Sequence, residues 1–265
     1  MYAFDYVKPA SIADAVAALK AEDAQPLSGG QTLIPTLKQR LAQPSVLVDL
    51  TGIAELKGIT EQGDSIAIGA ATTHGEIAGS AVIQSRIPGL ADMAGRIGDP
   101  QVRNRGTIGG SLANNDPAAC YPAAAIALGA TFRTSAGRAI AADDYFQGMF
   151  TTALEEGEIL TGVDLPVPAG SAYEKFLQPA SHFALVGVFV ARFASGVRVG
   201  VTGASEEGVF RWSEAEAALS ANFSAGAVDA LAASAEGLIG DIHATPDYRA
   251  HLVKVMTKRA AQKAA

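Results

Sequence analysis

The sequence predicts an α+β protein whose chain divides near residue 170, and three patterns indicate this. Residues 1–50 alternate helix and strand patterns around a glycine loop, which is typical of a small α/β layer. Two later stretches combine short apolar strands with glycine turns, as β-hairpins do. The segment Pro166-Val167-Pro168-Ala169-Gly170 then interrupts regular structure, and the pattern beyond it changes.

The first segment, residues 1–55, is predicted to contain two helices and two strands. A helix over 11–20 begins at Ser11, whose hydroxyl can cap it, and its apolar residues share one face. A strand ends at Leu27, and a glycine loop separates it from a second helix with apolar residues at i, i+3 and i+7. The β-branched run at 46–50 predicts the second strand.

The second segment, residues 56–170, is predicted to mix hairpins with short helices. Thr73 and Glu76 form a capping-box pattern, and Pro88 suits the first position of another helix. No regular pattern covers 98–116, which is therefore predicted to be irregular. In chain order, the predicted elements are a hairpin over 58–70, a helix after Thr73, a helix over 88–95, a helix over 117–128, a hairpin over 131–141 and a strand over 158–165.

The third segment, residues 171–265, is predicted to form a three-stranded antiparallel sheet followed by helices. The predicted elements are strands over 183–193 and 197–201, a strand opening at Arg211-Trp212, and helices over 213–219, 226–235 and 246–262. In the last helix, Tyr248, Leu252 and Met256 recur at i, i+4 and i+8, so we expect them to be buried together.

Composition excludes several classes of function. The 265 residues carry a net charge of −7, which disfavours nucleic acid as a partner, because binding to phosphates needs a basic surface. No apolar run reaches the roughly 18 residues of a membrane helix. The N-terminus lacks a basic stretch followed by an apolar one, so no secretory leader is predicted, and we expect a cytoplasmic protein.

Cysteine and histidine usage limits the metal chemistry of the chain. There is 1 cysteine, Cys120, so an intrachain disulfide is impossible. An iron–sulfur cluster usually takes four thiolates, and structural zinc takes several cysteines or histidines. The 4 histidines are not paired at metal-ligand spacing. We therefore expect no metal centre in this chain.

The first glycine motif, between a predicted strand and a predicted helix, is Ser28-Gly29-Gly30-Gln31-Thr32-Leu33. Glycine lets the backbone turn sharply and approach a ligand without an intervening Cβ. Successive amides at the start of a helix form a cradle for anions, and the hydroxyls of Ser28 and Thr32 can add donors. The alternative is a plain strand-to-helix turn whose glycines serve only the backbone.

The second glycine motif, Thr107-Ile108-Gly109-Gly110-Ser111, repeats the combination of paired glycines and hydroxyls. It leads to Asp116-Pro117, which predict the N-cap and first residue of a helix. Long irregular stretches are uncommon in compact domains unless they are functional, and two such loops suit a ligand with two phosphates. The alternative is a capped helix after a surface loop, with Asp116 serving only as the cap.

These motifs closely resemble those of the FAD-binding medium subunits of the molybdenum hydroxylases, the carbon monoxide dehydrogenase and xanthine dehydrogenase group. The resemblance extends over nearly the whole chain. It includes the first glycine motif, the longer stretch Asp99-Pro100-Gln101-Val102-Arg103-Asn104-Arg105-Gly106-Thr107-Ile108-Gly109-Gly110-Ser111, Asn114-Asn115-Asp116-Pro117, Tyr121-Pro122-Ala123 and Tyr173-Glu174-Lys175-Phe176.

The resemblance implies an FAD-binding domain with two subdomains, of the kind also found in vanillyl-alcohol-oxidase-like flavoproteins. This domain would cover residues 1–170, with subdomains of about 1–55 and 56–170. A small C-terminal α+β domain would cover 171–265.

The resemblance also implies positions for the parts of FAD. Residues 28–33 and 107–111 would hold the pyrophosphate and ribityl portions. The backbone of Ile97 and Gly98 would lie beside the isoalloxazine ring, and Lys175 would reach the flavin. Without the resemblance, Lys175 is interpreted as a solvated charge at the mouth of a strand.

Cys120 is a departure from the family pattern. Some members carry an aspartate there that bonds the polyol chain of the flavin, whereas a thiol is a weaker donor and acceptor. The stretch around it still places Cys120 and Asp116 among the expected cofactor-binding residues. The alternative for Cys120 is a buried helix cysteine that acts as a small apolar residue.

For function, the resemblance implies an electron-transfer subunit. Substrate would be oxidised on a large molybdopterin-binding subunit, and electrons would pass through a small [2Fe-2S] subunit to FAD here and then to an external acceptor. The assembly is expected to be a dimer of such heterotrimers. Two alternatives stay open: a stand-alone flavin oxidase or reductase of the same fold, and a flavin-free scaffold subunit.

Overall fold

Three successive β-sheets organise the computed structural model, which describes residues 1–265. The first sheet is parallel, with strand order β1-β3-β2, and its core includes Ala15, Val48 and Ile53. Its elements are β1 (Asp5–Val7), α1 (Ile12–Ala18), β2 (Ala24–Leu27), α2 (Leu33–Lys38) and β3 (Val46–Asp49). The predicted helices and strands of this segment are confirmed, and β1 is an addition. All three residues of β1 are exposed, so no burial pattern marked it in the sequence.

The second sheet is antiparallel and lies between residues 59 and 166, with strand order β4-β5-β10-β6-β7. The strands of this segment are β4 (Ile59–Gln62), β5 (Ser65–Gly69), β6 (Thr131–Thr134), β7 (Ala139–Ala141), the short pair β8 (Phe146–Gly148) and β9 (Thr151–Thr152), and β10 (Leu160–Pro166). The helices are α3 (His74–Gly79), α4 (Ala81–Arg86), α5 (Pro88–Gly95), α6 (Pro100–Arg103), α7 (Ile108–Asn114), α8 (Cys120–Leu128) and α9 (Ala142–Tyr145).

Two predictions for this segment were wrong. The stretch 98–116 is not irregular, because it contains α6 and α7, whose N-caps Asp99 and Thr107 each accept a backbone N–H. Paired glycines hide such a helix, since glycine has low helix propensity. Asp116 does not cap α8: its carboxylate accepts the N–H of Ala118 at 2.8 Å in a turn, and the helix begins only at Cys120.

The third sheet is antiparallel, with four strands in chain order rather than the three predicted. Its strands are β11 (Gly170–Leu177), β12 (Ala184–Phe193), β13 (Gly196–Ser205) and β14 (Gly208–Arg211), followed by α10 (Ser213–Ala221) and α11 (Pro246–Lys263). Between these helices, the predicted helix over 226–235 is only a 3-10 turn at Ala225–Val228. In α11, Leu252 and Met256 are buried as predicted, whereas Tyr248 is 42% exposed and packs edge-on against Phe176.

The third sheet packs closely against the second segment. All nine residues of α8 are buried, and the backbone of Ala123 lies so near β13 that a Cβ on Gly200 would come within 2.2 Å of its carbonyl oxygen. Similarly, α5 meets β11, where the N–H of Gly89 donates to the Ser171 hydroxyl at 3.2 Å. These contacts hold β11 beside the first turn of α8, which places Lys175 at the functional site.

None of the helices combines the length and apolar character needed to cross a membrane.

Candidate functional site

A cavity of about 710 Å³ lies between the two glycine motifs and extends to β11. This volume falls within the roughly 300–1,000 Å³ that is usual for ligand pockets. Every site residue that the sequence predicted lies on its wall: Ser28, Gly29, Gly30, Gln31, Thr32, Leu33, Ile97, Gly98, Thr107, Gly109, Gly110, Ser111, Asp116, Cys120 and Lys175. The fold therefore brings together segments that are far apart in the chain.

The first glycine motif leaves its backbone donors free. The amides of residues 29–33 make no hydrogen bond within the protein. Gly30 has φ of 72°, in the left-handed region that favours glycine, and such a residue within a turn lets successive N–H groups converge on one site. Five consecutive amides without a protein partner on a cavity wall are the arrangement that binding of an anion requires.

The reason for Gly29 differs from the expected one. A Cβ on Gly29 would lie 2.2 Å from the carbonyl oxygen of Arg105, so the missing side chain makes room for the other loop rather than for a ligand. The hydroxyls of Ser28 and Thr107 are also bonded to each other, at 2.9 Å. Both contacts join the two glycine motifs into one wall of the cavity.

In the second glycine motif, the amides of residues 108–111 are already hydrogen-bonded within the protein. The N–H groups of Ile108 and Gly109 donate to backbone carbonyls in residues 70–72, at 3.1 and 2.8 Å, and that of Gly110 donates to the Thr107 hydroxyl at 3.1 Å. The motif is the first turn of α7 and is tied to residues 70–72, which follow β5, so it does not repeat the run of unbonded amides at 29–33. Gly110 instead leaves open space at the cavity wall. A Cβ there would approach only two side chains, the Thr107 hydroxyl at 3.0 Å and Ser28 at 3.8 Å.

Arg103 shapes the turn at Ile97-Gly98. One nitrogen of its guanidinium donates to both carbonyl oxygens of this turn, each at 3.0 Å. Asp99 caps α6 and so directs Arg103 back towards the turn. No role for Arg103 was predicted from the sequence. The cap at Asp99 was the available signal, but the carbonyls that Arg103 binds are not visible in a sequence pattern.

Lys175 is buried and is not a solvated charge. The residue is 6% exposed. Its Nζ donates to the carbonyl oxygens of Arg96 at 2.9 Å and His182 at 3.0 Å. The Sγ of Cys120 lies 3.8 Å from the same nitrogen. These contacts orient the ammonium, and they join the end of α5 to the turn that follows β11.

The charge of Lys175 has no carboxylate partner. Its neighbour Glu174 pairs instead with Arg96 and Lys263. A buried cation surrounded only by neutral groups is costly unless negative charge arrives from elsewhere. At this position, the ammonium favours a ligand in the cavity that carries or acquires negative charge.

Cys120 and Asp116 lie on the same part of the wall. Cys120 is 6% exposed and belongs both to the core and to the cavity lining, as a small apolar residue can. The turn made by the Asp116 carboxylate precedes it. Asp116 forms no salt bridge, whereas the Cys120 Sγ lies 3.8 Å from the Lys175 ammonium.

His74 is a cavity residue that was not predicted from the sequence. It is the first residue of α3, it is 5% exposed, and its ring lies 5.2 Å from that of Tyr121. Burial, assisted by the positive charge of Arg103, lowers the pKa of His74 to about 4. The capping box at Thr73 predicted the helix, but a cap does not show which way the next side chain points.

Comparison with known proteins relates this chain to one family. Residues 2–168 match the family described as "FAD binding domain in molybdopterin dehydrogenase". The chain is 38% identical to the carbon monoxide dehydrogenase medium chain of Afipia carboxidovorans, over 98% of this chain and 96% of that one. It is 36% identical to the nicotine 6-hydroxylase medium subunit of Paenarthrobacter nicotinovorans, with 97% and 95% covered.

The solved structures agree with the sequence relatives. A carbon monoxide dehydrogenase structure from Hydrogenophaga pseudoflava superposes with a TM-score of 0.90 at 37% identity, covering 99% of this chain and 97% of the other. Reconstituted CO dehydrogenase from Oligotropha carboxidovorans gives a TM-score of 0.91 at 38% identity, with 99% and 98% covered. The chain therefore belongs to the family of FAD-binding medium subunits of molybdenum hydroxylases.

Proposed function

We propose that the cavity between the two glycine motifs is where this flavoprotein subunit binds its FAD. This proposal rests on one observation: the five unbonded amides of 29–33 and the ammonium of Lys175, which has no carboxylate partner, line the same cavity. The amides suit the negative charge of the FAD diphosphate, and the ammonium suits the negative charge that the flavin ring gains on reduction. The residues present thus fit this cofactor.

Different groups of site residues would contact different parts of FAD. The amides of 29–33 would bind the pyrophosphate, and Thr107, Gly110 and Ser111 would border the pyrophosphate and ribityl portions. Ile97-Gly98 and Lys175 would lie at the ring. FAD supplies the ability to take up two electrons and to release them singly or as a pair, while the protein provides position and electrostatics. Arg103 holds the 97–98 turn in place for this purpose.

The other residues that the sequence predicted would complete the lining. Gln31, whose side-chain amide donates to the carbonyl of Gly29 at 3.0 Å, would stiffen the first loop. Cys120 and Asp116 would border the polyol, and Leu33 would add apolar surface. We propose the same division of the chain as the sequence suggested, at about residues 55 and 170, with the cofactor between the first two units and Lys175 reaching it from the third.

We also infer the place of this subunit in electron transfer. Electrons would arrive from a small [2Fe-2S] subunit, which would receive them from a large molybdopterin-binding subunit, in a cytoplasmic dimer of heterotrimers. Two facts support this: the chain has 1 cysteine, so clusters must lie elsewhere, and its relatives are named for different substrates. A conserved fold with varied substrates is expected if the substrate reacts on another subunit.

We expect the flavin to be released intact when the protein is denatured, because the proposed contacts are hydrogen bonds and ionic attraction. The measurement is acid or heat precipitation, followed by chromatography of the supernatant. FAD should appear there in stoichiometric amount. Flavin that stays on the polypeptide, or FMN in place of FAD, would contradict the proposal.

Replacing Gly110 with valine should weaken FAD binding by about 100-fold or more, equivalent to about 2.7 kcal/mol. The new side chain would fill the space between Thr107 and Ser28 at the cavity wall. Fluorescence titration of the apoprotein measures the affinity, and circular dichroism measures the fold. Gly79→Val is the matched control, because a Cβ on Gly79 meets nothing within 4 Å. Equal affinities in the two variants would place the cofactor elsewhere.

A further inference from the structure

His74 lines the cavity beside the second glycine motif. The capping box of Thr73 and Glu76 fixes the start of α3, and the His74 N–H donates to the carbonyl of Gly106 at 2.9 Å. Thr73 also pairs with Thr107 as an isolated β-bridge. The backbone of His74 is thus held directly beside the second glycine motif, and the direction of its ring is determined by the fold.

The two ring nitrogens of His74 differ in accessibility. Nδ1 is sealed from solvent and has no hydrogen-bond partner. Nε2 has no protein partner either, but it is not among the sealed atoms, and His74 lines the cavity. Nε2 also lies close to Gly106, because a Cβ on Gly106 would come within 2.6 Å of it. The reachable nitrogen is therefore Nε2.

The position of the proton follows from these environments. The lowered pKa of about 4 makes the imidazole neutral near pH 7, with a single N–H. A buried N–H without a partner is rarer in proteins than a buried acceptor without one. The proton therefore belongs on Nε2, and the sealed Nδ1 keeps only its lone pair.

We propose that His74 is a binding residue whose Nε2–H donates a hydrogen bond to an oxygen acceptor of the bound dinucleotide. This rests on the proposed location of FAD. His74 adds a donor without adding charge, while the amides of 29–33 and Lys175 provide the positive potential. The ring of Tyr121, 5.2 Å away, supports the imidazole from the side of the core.

Nitrogen NMR on the full chain labelled with ¹⁵N-histidine tests the proposal directly. In the apoprotein, His74 should show the Nε2–H tautomer at pH 7. FAD addition should shift its Nε2 and Nε2–H resonances, while those of the exposed His251 should stay in place. Unshifted His74 resonances in a sample that binds FAD stoichiometrically would overturn this inference and leave the proposed function intact. A sample that binds no FAD would overturn the proposed function itself.

Two substitutions provide an independent readout. The amide nitrogen of glutamine reaches the position of Nε2, whereas that of asparagine reaches only the position of Nδ1. His74→Gln should keep FAD affinity within about threefold, and His74→Asn should lose about 10- to 100-fold, as expected for a bond to a charged or strongly polar oxygen. Thermal unfolding of both apoproteins checks the fold. Equal loss in two equally stable variants would show that His74 serves packing and does not donate to the ligand.

Discussion

Replacing Lys175 with methionine should lower the two-electron midpoint potential of the bound FAD by about 45–90 mV. The ammonium is buried and lacks a carboxylate partner, so it favours the negative charge that reduction adds to the ring. For a ring about 4–8 Å away and an effective dielectric constant of about 20, one charge contributes about 2–4 kcal/mol. For a two-electron couple, this range corresponds to the stated shift, which equilibration with redox dyes measures.

The matched control for this prediction is Lys254→Met. Lys254 lies on α11 outside the cavity, where its ammonium donates to the carbonyl of Asp229. Its removal changes the net charge by the same amount and should shift the potential by less than about 10 mV, because exposed charges are screened. Lys175→Met also frees the carbonyls of Arg96 and His182, so apoprotein stability should be recorded as well. A potential that does not change would remove Lys175 from the flavin environment.

The isolated chain should be inert towards organic substrates, and its FAD should be reduced only within the assembly. With 1 cysteine, the chain cannot hold the clusters that would deliver electrons to its flavin. Under anaerobic conditions, the visible flavin absorbance should persist when the isolated chain meets carbon monoxide, purines or aldehydes. In the co-expressed complex, the correct substrate should bleach it.

Two controls separate the possible outcomes. Dithionite should bleach the flavin of the isolated chain, which shows that the cofactor there is reducible. Omission of the cluster-bearing subunit should abolish bleaching by substrate in the remaining complex. Rapid bleaching of the isolated chain by an organic substrate would instead support a stand-alone oxidase, and purification without any flavin would support a scaffold.

Local patterns predicted the parts of the fold that depend on neighbouring residues. The hairpin of β4 and β5 and the capping box at Thr73 were correct because turns and caps are determined within a few positions. Helix α7 was missed because its paired glycines oppose helix formation, and tertiary bonds to residues 70–72 compensate. Strand β11 was missed because its burial depends on α5 and α11, which are distant in the chain.

In the site, too, the residues could be predicted from local patterns, but their contacts could not. Its residues were identifiable by motif, and all of them line one cavity. Their roles were not identifiable, because each role depends on a partner from another segment. Gly29 makes room for the backbone of Arg105, and the ammonium of Lys175 binds the carbonyls of Arg96 and His182. For His74, no sequence pattern indicated a role.

The complete burial of α8 bears on whether the FAD-binding unit can fold without the rest of the chain. The recognised FAD-binding unit ends at residue 168, yet one face of α8 is covered by the sheet that begins at Gly170. A fragment of residues 1–168 would expose that apolar face to water and would be prone to self-association. The two parts should therefore unfold together, and amide hydrogen exchange should find α8 and β13 opening together as the most slowly exchanging part of the molecule.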